Sequence, residues 1–185
     1  MLFIHSRGLG PLPRFRTEDR VQLVGDIARF YACIVGVVTA GGSYPASVLN
    51  QYTVRLADGI EGVFFDFQLE TPPLVTARLL FDNLVERKKT GVRDLGPGRN
   101  IRFVGAGIDI NLRMTGSGKR TVVGEITSGS TAIRKAIVTL LVENQSIQTT
   151  ATNDMSQFTL RDVSPGGIGI EVCLPGRRIL ASVTV

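Results

Sequence analysis

The chain has 185 residues, 43% hydrophobic and 20% charged, which excludes a disordered tail and leaves room for one or two domains with cores. Glycine and proline show no triplet period, which excludes a collagen-like repeat, and the absence of tryptophan argues against a large aromatic ligand pocket. The formal charge is +5, and the excess lies in the middle: residues 1–70 carry six basic and seven acidic side chains, 71–117 eight and four, 118–185 seven and five.

Residues 1–14 are expected to be a flexible arm, because Gly8, Gly10, Pro11 and Pro13 interrupt regular structure. The apolar run Met1 to Ile4 is shorter than the about seven residues of a secretory signal. No run approaches the about 18 apolar residues of a membrane span, so a cytoplasmic location is expected.

Residues 15–70 are expected to form a small β-domain. Val21 to Val24 make a first strand, turned at Gly25-Asp26, and Phe30 to Val38 a longer one bent at Gly36. Tyr52, Val54 and Leu56 alternate with Thr53 and Arg55, the period of a half-buried strand. Asp58-Gly59 is a hairpin turn returning into Val63 to Phe67. The stretches RVQLVG, ARFYACIVGVV, QYTVRLADG and GVFFDFQLE together resemble an SH3-like barrel. That resemblance implies a binding module for peptides, methylated side chains or RNA, without choosing among them.

Residues 71–117 are expected to hold the one helix and a Gly-rich connector. Thr71 can cap a helix over 71–91, Pro72 suits its first turn, and Leu74, Ala77, Leu80, Phe81, Leu84 and Val85 recur at helical spacing. Arg87, Lys88 and Lys89 would close its last turn and Gly91 its C-terminus. Beyond it, Ile101 and Phe103, then Ile108, Ile110, Leu112 and Met114, predict a pair of strands, and Gly116-Ser117-Gly118 a linker.

Residues 118–185 predict a second β-domain. Strands are expected at Val122–Ile126, Ala136–Val142, Ile147–Thr152, Phe158–Leu160, Ile168–Cys173 and Ile179–Val185, with turn signals between them. The last either completes a sandwich or joins a neighbouring chain. The run from Gly124 to Val172 is similar to carboxypeptidase regulatory-like domains, close to Cna-B and transthyretin-like sandwiches. Gly124 and Ile126 match the opening strand, Ala136, Val138 and Leu140 the second, Thr152, Asn153 and Phe158 the following turn. Leu160, Val163, Pro165, Gly166, Ile170 and Val172 match the next stretch. Ser156 stands where the family usually has glycine, and Ile168 where it has an aromatic. The resemblance implies an Ig-like β-sandwich acting as a structural or adhesive module, with no catalytic set.

The expected fold class is therefore mainly β: an SH3-like barrel, one connecting helix and an Ig-like sandwich. Chemistry is sparse. The only histidine, His5, lies in the arm, so His-dependent acyl transfer and general-base catalysis lack their usual residue. MTGSGKRT fails as a phosphate loop because position 113 is arginine where glycine is needed and a strand follows. Asp58, Glu61, Asp66 and Glu70 are neighbours in sequence but read as turn and strand-end residues. Cys33 and Cys173 form no metal-binding pattern and read as buried thiols. No cofactor and no enzymatic activity are expected. Two functions fit: an interaction or structural subunit whose partner is a protein or a second copy, and nucleic-acid binding by a basic belt. The belt comprises Arg87, Lys88, Lys89, Arg93, Arg99 and Arg102.

Overall fold

The computed structural model describes residues 12–42, 49–84 and 98–185. The protein is mainly β, and it divides between Thr71 and Pro72 into two units.

In the first unit, β1 (Arg20–Leu23), β2 (Val35–Gly42), β3 (Gln51–Leu56), β4 (Glu61–Phe65) and β5 (Leu69–Glu70) form one antiparallel sheet. Its order is β4-β3-β2-β1-β5. The Asp58-Gly59 hairpin is where the sequence places it: Gly59 has φ 89° and its N–H donates to the Leu56 carbonyl at 2.9 Å. The Asp58 carboxylate accepts from the Ile60 N–H at 3.2 Å, closing the turn. Phe15, Val21, Leu23, Val38, Tyr52, Val54, Leu56, Phe64 and Leu69 make the core.

Two expectations change here. The turn expected at Gly25-Asp26 is a 3₁₀ turn that runs on to Phe30, so the second strand starts at Val35 rather than at Phe30. Gly36 carries no bulge. A Cβ there would sit 2.5 Å from Val54 Cγ1, so close packing explains the glycine, and the register shift lies between Val38 and Ala40.

The second unit is a sandwich. One sheet has the order β7-β8-β9-β10, from β7 (Arg78–Asp82), β8 (Arg99–Gly105), β9 (Ile108–Thr115) and β10 (Arg120–Ser128). Along its far edge β10 pairs with β11 (Thr131–Ala132) and β14 (Gln157–Val163). The other sheet has the order β13-β12-β15-β16-β6, from β6 (Leu74–Thr76), β12 (Ile137–Val142), β13 (Gln145–Ala151), β15 (Gly167–Leu174) and β16 (Arg177–Thr184). Both sheets contribute to one core, which includes Phe103, Ile110, Met114 and Leu160 from the first and Val138, Ile170, Val172 and Ile179 from the second. Each such burial contributes roughly 1.5–3 kcal/mol. β16 pairs with β15 along its whole length, so it completes this sheet.

The helix expected over 71–91 is replaced, over its described residues, by two strands. β6 runs parallel to β16 and β7 antiparallel to β8. At Ala77, buried and donating its N–H to the Leu180 carbonyl at 2.8 Å, the chain leaves one sheet for the other. A register shift between Leu79 and Phe81 then breaks the alternation again. Two interruptions of a period of two leave apolar spacings of three and four, which imitate a helix. Among its described residues only Ala77 of the apolar stripe is buried: Leu74, Leu80, Phe81 and Leu84 are exposed. The proposed linker Gly116-Ser117-Gly118 is the turn of the β9–β10 hairpin, with Thr115 opposite Thr121. The expected boundary at residue 118 thus falls inside the sandwich, which begins with β6.

Gly124 shows why a glycine stands in β10. It lies directly opposite Phe158, whose ring fills the space a Cβ would occupy, 2.1 Å away.

Candidate interaction surface

The belt does not form a free cationic row among the described residues. Arg87, Lys88, Lys89 and Arg93 lie outside them. Arg99 is turned inward. Its Nε donates to Asp82 Oδ1 at 3.0 Å and its Nη2 to Asp82 Oδ2 at 2.5 Å, a bidentate pair with the Asp82 side chain only 2% exposed. Its Nη1 also donates to the Thr184 carbonyl of β16. Asp82 and Arg99 belong to one sheet and Thr184 to the other, so this guanidinium stitches the sandwich together. Arg102 is half-exposed, but its Nε and Nη2 both donate to Asp109 Oδ1, at 2.8 and 2.7 Å.

The carboxylates of the first unit are likewise engaged separately. Glu61 pairs with Arg55 at 2.8 Å, and Glu70 accepts from the Gln22 amide. Asp66 Oδ2 accepts from Asn50 Nδ2 at 2.9 Å, and the same amide donates to the Leu12 carbonyl at 3.0 Å. The Tyr52 oxygen accepts the N–H groups of Arg14 and Phe15, at 2.8 and 3.4 Å. Burial pushes the Tyr52 phenol above its ordinary value. The hydrogen bond to Asp66 adds to that, and the two donated N–H groups oppose it. The ordered chain therefore begins earlier than Phe15: residues 12–14, assigned to the arm, are held against this unit. Cys33 and Cys173 are both buried. Among the described residues no three His, Cys, Asp or Glu side chains gather to hold a metal ion, and no helix is long and apolar enough to cross a membrane.

What the second unit does present is β7. It ends its sheet, and Leu79, Leu80 and Phe81 are each about half-exposed. On the outer face of the same sheet, register aligns side chains into a row. Phe81 stands opposite Arg102, Arg102 opposite Asn111, Asn111 opposite Glu125, and Glu125 opposite Gln157. The neighbouring row runs Asn100, Arg113, Val123, Thr159. These rows, apart from Thr159 and together with Leu80, line an open depression of about 520 Å³. Sequence reasoning missed Asn111, Arg113, Glu125 and Gln157. The alternation of Ile108, Ile110, Leu112 and Met114 already placed Asn111 and Arg113 on one face, but only the register sets them beside Glu125 and Gln157. No family model matches this sequence, and no curated protein or solved structure matches it significantly.

Proposed function

We propose that the protein is a non-enzymatic interaction or structural subunit acting through protein–protein contacts, with β7 as its principal contact strand. In this reading the first unit is an SH3-like barrel, a view supported by its strand order and its Asp-Gly hairpin. The second unit is an Ig-like sandwich of the carboxypeptidase regulatory-like type, enlarged at its start by β6–β9.

The observation that carries the proposal is the chemistry of β7. Sheet edges are ordinarily guarded by charge, proline or short length, because unpaired N–H and C=O groups template another strand. The edge strand β13 is mostly polar, with the sequence QSIQTTA. β7 is RLLFD, and it has no strand partner on its outer side among the described residues. Strand addition there would satisfy the backbone and cover three apolar side chains at once.

Light scattering after size exclusion tests this on the full chain and on Leu79→Lys, which places a guarding charge on the edge. The wild type is expected at a multiple of 20.0 kDa and the variant at 20.0 kDa. A wild type of 20.0 kDa at every concentration, with β7 amides that exchange freely with deuterium, would count against the proposal.

A further inference from the structure

We propose that the outer face formed by β7, β8, β9, β10 and β14 binds a neutral polyhydroxylated chain, an oligosaccharide lying across the strands. This concerns the face of the sheet rather than the edge of β7, although Leu80 and Phe81 border both.

Five strands at about 4.8 Å spacing make the row from Phe81 to Gln157 roughly 19 Å long, enough for several linked rings. The depression of about 520 Å³ above it falls within the ordinary size of ligand sites. Its charges are nearly balanced: Arg102 is paired with Asp109, and Arg113 and Glu125 carry opposite charges without forming an ion pair. A phosphate backbone needs a surplus of cations, which this face does not supply.

The polar side chains suit hydroxyl groups. The side chains of Asn111, Arg113, Glu125 and Gln157 make no hydrogen bond or ion pair among the described residues. Two are amides that both donate and accept. One is a carboxylate that accepts through two oxygens, and one a guanidinium that donates in a fork. Each offers a planar pair of atoms, the geometry that two adjacent hydroxyls on a sugar ring satisfy. Phe81, Leu80 and Val123, all about half-exposed, supply apolar patches for the C–H faces of such rings. All of these groups stand on strands, so their spacing is preset.

The test is a ¹⁵N spectrum of the full chain titrated with maltohexaose, cellohexaose and xylohexaose to millimolar concentration. At least one is expected to shift, saturably, the side-chain amide signals of Asn111 and Gln157 together with backbone signals of β8–β10. The exposed double substitution Glu125→Ala with Gln157→Ala should weaken that binding at least about tenfold, with an otherwise unchanged spectrum. Glu125→Gln, which keeps the planar pair and removes the charge, should retain it, as should Leu79→Lys. The proposal is overturned if none of the three sugars shifts these amides, or if the double variant binds as well as the wild type. It is also overturned if Glu125→Gln abolishes binding, or if a heparin oligosaccharide or oligothymidine perturbs the same amides more strongly than the neutral sugars.

Discussion

The first unit buries a neutral hydroxyl, that of Tyr52, against two backbone N–H groups, whereas the second sets an ion pair, Asp82 with Arg99, against the far sheet of its sandwich. The phenol accepts two backbone N–H groups and fastens residues 12–15. The ion pair reaches the Thr184 carbonyl and fastens two sheets. A hydroxyl is cheap to bury once its hydrogen bonds are made, and losing it costs those bonds. A buried ion is costly to bury, so losing one partner strands the other. The two units should therefore respond very differently to losing a single group.

The largest effect is expected for Arg99→Ala. It leaves the Asp82 carboxylate, 2% exposed, without its main cation, and should destabilise the sandwich by about 3–5 kcal/mol. The measurement has a built-in control. All three tyrosines, Tyr31, Tyr44 and Tyr52, lie in the first unit, and the chain has no tryptophan. Urea unfolding followed by tyrosine fluorescence then reports the first unit, and far-ultraviolet circular dichroism reports both. Only the dichroism transition should move. Equal movement of both would show that the units unfold together and would break the comparison. Replacing the pair outright, Asp82→Leu with Arg99→Met, should recover most of the loss, because no ion is then stranded.

Tyr52→Phe is expected to cost less, about 1–3 kcal/mol, by leaving two backbone donors unmatched. It should shift the fluorescence transition of the remaining tyrosines. Its pH signature is distinctive. The folded phenol titrates above its ordinary value of about 10. The neutral form is thus favoured by folding. The stabilisation is complete below the ordinary value and is lost as pH rises through the folded value. The wild type should lose stability over that alkaline window, and Tyr52→Phe should lose less. Parallel alkaline limbs in both proteins would assign the loss to other groups.

How far the sequence foretold these arrangements depended on whether a signal was local. The Asp58-Gly59 hairpin and the strands from β12 onward announce themselves through alternation and turn residues. The segment from Leu74 to Leu84 does not. Its backbone is fixed by β16, about a hundred residues away, and by β8, which no window over this segment contains. Its sheet change at Ala77 and its bulge near Leu80 erased the alternation that would have marked it. The two belt arginines within the described residues, Arg99 and Arg102, show a related limit. Clustered arginines suggest an anion site only while their partners are unseen, and the partner of Arg99 is Asp82, the residue facing Ile101 across the β7–β8 ladder. The row on the outer face was half legible: strand period gave each residue its side, but register between strands is not written in the period.

The smallest effect concerns a serine held in a backbone conformation that favours glycine. Ser156 has φ 61°, a left-handed conformation that costs a residue with a Cβ about 1–2 kcal/mol. The turn that requires it is well made. The Asn153 side chain accepts from the N–H groups of Met155 and Gln157, both at 2.9 Å, and the Ser156 carbonyl accepts from Ile126 at 3.0 Å. Glycine would relieve the strain but lose about 0.5–1 kcal/mol to its freedom in the unfolded chain, together with the hydroxyl's 2.5 Å bond to the Met155 carbonyl. Ser156→Gly is thus expected to raise the dichroism midpoint slightly, by about 0.5 kcal/mol or less. Ser156→Ala, which keeps the strained Cβ and removes the hydroxyl, should lower it. If Gly and Ala both lower it, the buried hydroxyl outweighs the strained backbone, and serine stands here for its hydrogen bond rather than in spite of its conformation.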